Sequence, residues 1–179
     1  MENSKDNELW KKCVDFHGHS CGGLAIGYRA ALYAKELLGT GRSEDEEIVC
    51  VAENDACGVD AIQVLLGCSA GKGNLLFRMR GKQAFSFFRR SDGKAVRLVA
   101  KEVPEMSKEE RFAYRMKSDA EDLFTVSEPG FSLPERARIF RSVRCEQCGE
   151  VAAEPMIRLQ DGKKLCLDCF QAYDRFDEV

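Results

Sequence analysis

Residues 145–169, CEQCGEVAAEPMIRLQDGKKLCLDC, carry the pattern that decides the fold of the C-terminal part of this chain. They contain two Cys-x-x-Cys pairs, Cys145 with Cys148 and Cys166 with Cys169, which are separated by 17 residues. This spacing is typical of a structural zinc site, because each pair can turn both thiolates toward one ion. Four sulfur ligands leave no open coordination position, so the ion is predicted to stabilise the fold and not to react.

The residues around these cysteines predict a treble-clef zinc finger. Gly149 permits the positive φ of a knuckle, and Asp161-Gly162 is a strong hairpin turn. Residues 170–176 are predicted to form a short helix whose aromatic side chains share one face, namely Phe170, Tyr173 and Phe176. The alternatives are two disulfides or unrelated thiols. They are disfavoured because nothing else in the sequence indicates an oxidising compartment.

The composition indicates an ordinary soluble protein. The chain has 179 residues, 44% of them hydrophobic and 32% charged, which is enough for one core and a small appendage. Its longest apolar stretch, residues 24–38, is interrupted by Arg29, Lys35 and Glu36, and residues 1–8 are polar and acidic, unlike a secretory signal. We therefore expect a cytoplasmic protein with no membrane partner, whose nine cysteines are reduced.

Charge is segregated along the chain. Residues 1–71 have 6 Lys/Arg against 12 Asp/Glu, residues 72–117 have 13 against 5, and residues 118–179 have 8 against 13. A basic block can bind phosphates. This block contains predicted strands, however, which favours the solvated face of a sheet that complements the acidic part of the same molecule or of a second copy.

Hydrophobic periodicity predicts an α+β core domain over residues 1–141, followed by the finger at 142–179. Helices are predicted at 9–16, 24–38, 59–66 and 107–117, and strands at 48–52, 75–79, 84–88 and 95–99. Ser107 and Glu110 have the spacing of a capping box. The prolines near residue 130 and the basic residues 136–144 predict the linker.

Residues 16–23, FHGHSCGG, are the first candidate site of the core. They contain both histidines of the chain, His17 and His19, together with Cys21. His17 and Cys21 face the same way if the turn is helical, and the glycines let the backbone approach a ligand. Imidazole and thiolate suit zinc or another late first-row divalent metal. The alternative is a capped turn whose histidines only satisfy hydrogen bonds.

Residues 53–60, ENDACGVD, are the second candidate site, where a predicted strand ends and a helix begins. Ligand sites favour the carboxyl ends of strands. The helix dipole is predicted to lower the pKa of Cys57, which makes this residue a metal ligand or a candidate catalytic nucleophile. Asp55 and Asp60 are either a helix cap and a first-turn carboxylate or further ligands. Cys13 and Cys50 fall on apolar faces and are predicted to be core thiols.

Residues 67–74, GCSAGKGN, invite a phosphate-loop interpretation but do not match the Walker pattern. They have one residue too few between the glycines, and no Ser or Thr follows Lys72. A loop of this kind can still hold an anion through its backbone N–H groups, with Cys68, Lys72 and Asn74 as candidate ligands. A helix C-cap followed by a turn into the next strand explains the same glycines.

The segments FHGHSCGGLAIGYRAAL and ENDACGVDAIQVLLGCSAGKGNL, with the four-cysteine tail, resemble the FmdE family, which takes its name from a component of formylmethanofuran dehydrogenase. The resemblance covers residues 7–125, with the finger as an accessory domain. It implies an α+β core, an intertwined homodimer, a treble-clef finger and a link to the enzyme that reduces CO2 onto methanofuran. One departure is Gly22, which replaces the proline that usually follows the cysteine in the family motif.

The leading functional prediction is a metal-binding accessory protein of formylmethanofuran dehydrogenase or a related oxidoreductase. His17, His19, Cys21 and Cys57 are predicted to hold a second divalent metal, zinc, in one cleft. This metal would bind or hand over a small ligand, and the finger would dock a protein partner. The opposite charges of residues 1–71 and 72–117 also favour a homodimer.

Two alternatives stay open at this stage. One is a regulatory or metal-sensing protein whose finger binds nucleic acid through the linker arginines Arg136, Arg138, Arg141 and Arg144. The other is a freestanding metal-dependent enzyme that uses Cys57 or a metal-activated water as nucleophile. The sequence has no redox cofactor motif and few aromatic residues among the basic ones, and residues 174–178 are acidic. These features favour protein docking over nucleic acid.

Overall fold

The computed structural model describes residues 4–175, and the chain divides into two compact units, Met1–Ala137 and Arg138–Val179. The first unit is an α+β core, as predicted. Its helices are α1 Ser4–His17, α2 Gly22–Leu38, α3 Gly58–Leu66, α4 Lys108–Lys117 and α5 Ala120–Leu123. Its strands are β1 Ile48–Ala52, β2 Leu75–Phe77, β3 Ala84–Arg89, β4 Ala95–Ala100 and β5 Phe124–Ser127. The predicted helices and strands of this unit are confirmed, with small differences at their ends.

The five strands form one mixed sheet in the order β2-β1-β3-β4-β5. Strands β1 and β2 run parallel, and all other pairs are antiparallel. Every residue of β1 is buried, so its continuous apolar run IVCVA is that of a strand covered on both faces. The main core cluster, which includes Cys50, packs against one face, while Val49 and Val51 pack with Phe131 and Leu133 on the other.

Helix α5 and the edge strand β5 that follows it were not predicted from the sequence. Strand β5 spans four residues and buries only Phe124, so its apolar alternation is too short to detect. Other local predictions are confirmed. Ser107 and Glu110 form the expected capping box, and Cys13 and Cys50 are fully buried. Burial raises the pKa of the Cys13 thiol to about 11, which fits an inert core residue.

Helices α2 and α3 cross in close contact because both have glycine at the crossing point. A Cβ atom on Gly27 would lie 1.8 Å from the carbonyl oxygen of Gly58. A Cβ atom on Gly58 would lie 3.1 Å from the carbonyl oxygen of Gly23. The absence of side chains therefore lets the first turns of the two helices approach each other, and each of these helices is preceded by a cysteine, Cys21 or Cys57.

Part of the basic block pairs with acidic residues of the same unit. Arg97 donates to both carboxylate oxygens of Glu53, at 2.6 and 2.9 Å. Arg90 lies 3.0 Å from Glu46, and both side chains are largely buried. The hydrogen bonds from Arg97 hold the pKa of Glu53 below its usual value, although burial opposes this. These ion pairs agree with the expectation that the basic strands complement the acidic part of the molecule.

The second unit consists of two small hairpins that carry the cysteines. Strands β6 Ser142–Arg144 and β7 Val151–Ala153 enclose the first pair, and β8 Ile157–Gln160 and β9 Lys163–Cys166 lead into the second. A short 3-10 turn, Glu154–Met156, joins the two hairpins. Gly149 and Gly162 have φ values of 78° and 75°, as the predicted knuckle and hairpin turn require.

The helix predicted at residues 170–176 is wrong over the part that the structure describes. Residues 170–175 form no helix, and Phe176 lies outside the described residues. The Gln160 side chain donates to the Gln171 carbonyl and accepts from its N–H, each at 3.0 Å. This pairing uses the backbone groups that a helix would need, and a segment of seven residues gains too little to nucleate one.

No helix in residues 4–175 is both long and apolar enough to cross a lipid bilayer.

Candidate metal centres

The core unit brings together three of the predicted metal ligands, His17, Cys21 and Cys57. Their ligand atoms all lie within 4.8 Å of one another, and all three residues are partly buried. The His17 Nε2 atom is 3.8 Å from Cys21 Sγ. A tetrahedral zinc ion, with metal–nitrogen and metal–sulfur bonds of about 2.0 and 2.3 Å, holds such atoms about 3.5–3.8 Å apart. The donor set and its spacing therefore fit zinc.

Short-range sequence features position each of these ligands. His17 is the last residue of α1, and Gly18 then turns the chain with a φ of 91°. Cys21 is the N-cap of α2, where its sulfur accepts a hydrogen bond from the Leu24 N–H at 3.3 Å. Cys57 directly precedes α3, and the close crossing of α2 and α3 brings it to Cys21.

Asp60, predicted as a first-turn carboxylate or a further ligand, lies in the first turn of α3 and orients His17, a role that was not predicted from the sequence. His17 Nδ1 donates to Asp60 Oδ2 at 2.7 Å, which leaves Nε2 with a lone pair on the side of Cys21. Gln63 donates to the other Asp60 oxygen at 3.2 Å. A carboxylate behind a ligating histidine is a common feature of zinc sites. The sequence feature that could have indicated this role is the position of Asp60, three residues after Cys57 at the start of a predicted helix.

His19 lies beside the centre but not within its ligand group. Its ring stacks against His17 with centroids 4.5 Å apart, and the residue is exposed. The centre itself borders an open cavity of about 330 Å³ that is lined by His17, Cys57, Asp60 and neighbouring residues. Asp55 also lines this cavity. The centre thus combines three protein ligands with access for a further group.

The metal-free centre favours a thiolate on Cys21, not on Cys57. Burial and the adjacent Cys21 raise the pKa of Cys57, whose side chain makes no capping hydrogen bond. The expectation that the helix dipole lowers the pKa of Cys57 is therefore wrong. Burial also opposes ionisation of Cys21, but hydrogen bonds from the Leu24 N–H, from Cys57 and from Nε2 of the protonated His17 ring outweigh it and lower the pKa of Cys21. The Asp60 hydrogen bond raises the pKa of His17.

In the candidate ligand loop, residues 67–74, the polar side chains form hydrogen bonds with other groups of the protein. Asn74 is fully buried, and its side chain accepts from the Ser69 N–H at 2.9 Å and donates to the Asp45 and Ile48 carbonyls. Lys72 Nζ donates to the Glu44 carbonyl at 3.0 Å. Cys68 is fully buried, which raises its pKa to about 12. The three side chains face the protein, as in a helix C-cap followed by a turn.

The four cysteines of the finger form a closed site. The sulfur atoms of Cys145, Cys148, Cys166 and Cys169 lie within 4.8 Å of one another, and those of Cys148 and Cys166 are 3.8 Å apart. An ideal tetrahedral Zn–S₄ site has sulfur–sulfur distances of about 3.8 Å. Hydrogen bonds from the backbone N–H groups of Cys148 and Cys166 lower the pKa of Cys145 to about 6, which favours the thiolate that binds metal.

These observations define a two-domain protein with an α+β core, a candidate core metal centre and a C-terminal four-cysteine zinc finger. A family model described as "FmdE, Molybdenum formylmethanofuran dehydrogenase operon" matches residues 16–139. A second model, the "Prokaryotic dksA/traR C4-type zinc finger", matches residues 138–175. The chain belongs to the FmdE family.

The chain is also similar to two other proteins. The chain is 32% identical over 203 residues to a "Probable S-adenosyl-L-methionine-binding protein" of Archaeoglobus fulgidus, an alignment that covers 95% of this chain and 54% of that protein. The chain thus spans about half the length of that relative. The crystal structure of a tungsten formylmethanofuran dehydrogenase FmdE-like protein from Syntrophus aciditrophicus superimposes with a TM-score of 0.65 and 25% identity, covering 92% of this chain and 91% of that one.

Proposed function

We propose that this protein is a metal-binding accessory protein of formylmethanofuran dehydrogenase or a related oxidoreductase system. One observation carries the proposal: His17, Cys21 and Cys57 converge with Asp60 behind the histidine. Among residues 4–175, no fourth His, Cys, Asp or Glu joins this group. Zinc sites with three protein ligands keep a position for an external group, whereas structural sites are filled by four.

Different residues of the chain would have different roles at such a centre. A bound zinc supplies a Lewis acid that holds or polarises a small ligand. Asp60 keeps the proton of His17 on Nδ1, so that Nε2 is available for the metal. The glycine crossing of α2 and α3 holds Cys21 and Cys57 at ligand distance. The core therefore suits binding or transfer of a small molecule.

Removing a core ligand is expected to remove one of two zinc equivalents. His17→Ala and Cys57→Ser should each lose the core metal and keep the finger metal, because the two centres share no ligand. Asp60→Asn should weaken core binding by about 10- to 100-fold, the usual effect of changing the group behind a ligating histidine. Metal content of the purified full-length variants, measured by mass spectrometry, checks both results.

His19→Ala is the matched control for this experiment, since His19 lies next to His17 but outside the ligand group. It should retain both metals. A loss of core metal in His19→Ala would establish four protein ligands and leave no position for a small molecule. Two retained equivalents in both His17→Ala and Cys57→Ser would contradict the core centre altogether.

The finger supports a docking role in the proposed assembly. Large apolar side chains on its surface are exposed, including Val151, Met156, Leu159, Leu167 and Tyr173. A partner protein that covered these side chains would remove their apolar surface from water, which favours association. We propose a protein partner for the finger and a second copy of the chain for the core, as the family resemblance implies.

A second candidate function is binding of S-adenosyl-L-methionine, the compound in the name of the archaeal relative. A cavity of about 520 Å³ between α1, α2 and α4 supports it. Trp10, Tyr28 and Phe112 line this cavity, and the Trp10 ring lies 5.2 Å from Tyr28 and 5.9 Å from Phe112. Aromatic rings can stack on adenine and attract a sulfonium cation, and Glu36 adds a carboxylate.

Trp10 is the single tryptophan of the chain, so its fluorescence reports directly on this cavity. Titration with S-adenosyl-L-methionine should quench the fluorescence with a dissociation constant of about 1–100 μM, within the range of metabolite sites. Phe112→Ala should weaken the binding by about tenfold, because base–aromatic stacking contributes about 1–3 kcal/mol. Unchanged fluorescence and no heat of binding with 1 mM ligand, about the weakest useful affinity, would remove this candidate.

A further inference from the structure

A second cavity of the core unit borders Cys21. It has a volume of about 580 Å³ and lies between the start of α2 and the exposed face of α4. Its walls come from the start of α2, with Cys21 and Gly22, and from α4, with Arg111, Phe112 and Arg115. Cys21 therefore belongs both to the candidate metal centre and to the wall of this cavity.

Gly22 makes room for the guanidinium group of Arg115 at this place. A Cβ atom on Gly22 would lie 2.5 Å from Arg115 Nη1, which is closer than real Cβ atoms approach any neighbour. A side chain at position 22 would therefore displace the guanidinium from the start of α2.

Positive charge in the cavity exceeds negative charge. Lys108, Arg111 and Arg115 line it with one carboxylate, Glu109. The first turn of α2 contains no acidic residue, so the Cys21 sulfur at the N-cap is the group that faces the positive end of the helix dipole. Burial and the neighbouring Arg111 lower the pKa of Arg115, and the nearby Cys21 acts in the opposite direction.

The Arg115 side chain also has unused hydrogen-bonding capacity. Its Nε atom is buried and has no hydrogen-bond partner in the described part of the chain. A buried guanidinium donor without an acceptor is costly, and an oxyanion that binds both Nε and a terminal nitrogen would satisfy it. The cavity supplies the volume for such a ligand.

We propose that this cavity binds the oxyanion group of a small molecule, a carboxylate or a phosphate, through Arg115 and Arg111. This inference rests on the proposed function, because the core metal centre would make the second contact with the ligand. The bound oxyanion would hold the rest of the molecule beside Cys21. The substrate class of the core centre is then an anionic small molecule. Phe112 provides an apolar wall for its carbon skeleton.

The test is calorimetric titration of the full-length protein with two probes, inorganic phosphate and acetate. We expect binding of at least one probe, weakened about tenfold or more in Arg115→Gln because the charge-assisted hydrogen bonds of the guanidinium are lost. Gly22→Ala keeps every charge but displaces the guanidinium, so it should weaken binding as well. Binding of phosphate alone or acetate alone distinguishes a phosphate ester from a carboxylic acid.

Two variants serve as matched controls. Arg80→Gln removes an exposed arginine outside the cavity, and Gly41→Ala adds a methyl group where no atom lies within 4 Å. Both should bind the probes like the wild type. Circular dichroism and a thermal melt check that Arg115→Gln and Gly22→Ala are folded. Equal affinity of Arg115→Gln and the wild type, or no binding of either probe by the wild type at 10 mM, about the limit of specific binding, would overturn the proposal.

Cys57→Ser separates this proposal from that of the core metal. Cys57 does not line the cavity, so the variant should still bind the probes after it has lost the core metal. If Cys57→Ser and His17→Ala both keep two metal equivalents but the probe affinities still depend on Arg115, the metal proposal fails and the anion site stands. If Cys57→Ser loses the core metal but Arg115→Gln binds the probes like the wild type, the anion-site proposal fails and the metal proposal stands.

Discussion

Cys166→Ser is expected to release the finger zinc and to unfold the finger while the core unit stays folded. The reason is the small apolar content of the finger: within residues 138–175 its buried cluster consists of Cys145, Leu165 and Cys166 with four partly buried neighbours. Such a cluster cannot offset the conformational entropy of about 40 residues. Structural zinc contributes about 10–16 kcal/mol of apparent binding energy in comparable domains, so the finger depends on its metal.

Zinc analysis and limited proteolysis of the full-length variant test this expectation. Cleavage should fall within residues 138–175 and leave a stable fragment that contains Met1–Ala137. Leu167→Ser is a suitable control, because Leu167 is adjacent to Cys166 but exposed and not a ligand. A full finger zinc and unchanged protease resistance in Cys166→Ser would show that the fold does not need the fourth sulfur.

Gly27→Ala is expected to destabilise the core unit and to abolish the core metal centre together. Alanine is favoured over glycine in helices by about 0.5–1 kcal/mol, so propensity alone predicts a more stable protein. The added methyl group would, however, lie 1.8 Å from the Gly58 carbonyl oxygen, and backbone cannot move aside as a side chain can. Overpacking of a core typically costs about 1–3 kcal/mol, and this contact is between backbones, so we expect a net loss of about 3 kcal/mol.

Urea denaturation of the core and metal analysis measure the two effects of Gly27→Ala. Separation of α2 and α3 would move Cys21 away from Cys57, so the core metal should be lost while the finger zinc is retained. Gly41→Ala again provides the control, because nothing lies within 4 Å of its added Cβ atom. Unchanged stability and two retained metals in Gly27→Ala would contradict the role of the helix crossing.

Features that depend on near neighbours in sequence were predictable. The finger ligands lie within two short turns, and the hairpin Asp161-Gly162 joins them with the expected backbone geometry. The helices and most strands of the core followed from periodicity and capping, as Ser107 and Glu110 illustrate. His17 and Cys21 were paired correctly because they are four residues apart at the junction of two helices.

Predictions failed where a distant group competes for the same atoms. The dipole of α3 should lower the pKa of Cys57, but burial and the Cys21 sulfur raise it. The segment after Cys169 has helical periodicity, but Gln160 from the neighbouring hairpin binds the Gln171 backbone. The polar groups of Lys72 and Asn74 look available for a ligand in sequence and are used by backbone carbonyls.

The sequence by itself determined the two-domain organisation, the helices and most strands, the four-cysteine finger and the clustering of His17 with Cys21 in the core. Spacing is sufficient for these features because turns, helices and ligand pairs are set by contacts within a few residues. Only the tertiary structure decided that Asp60 orients His17, 43 positions away in the chain, and that Arg115 lies over Gly22. Contacts of this kind depend on how helices pack, and packing is decided by complementary shapes that no local pattern records.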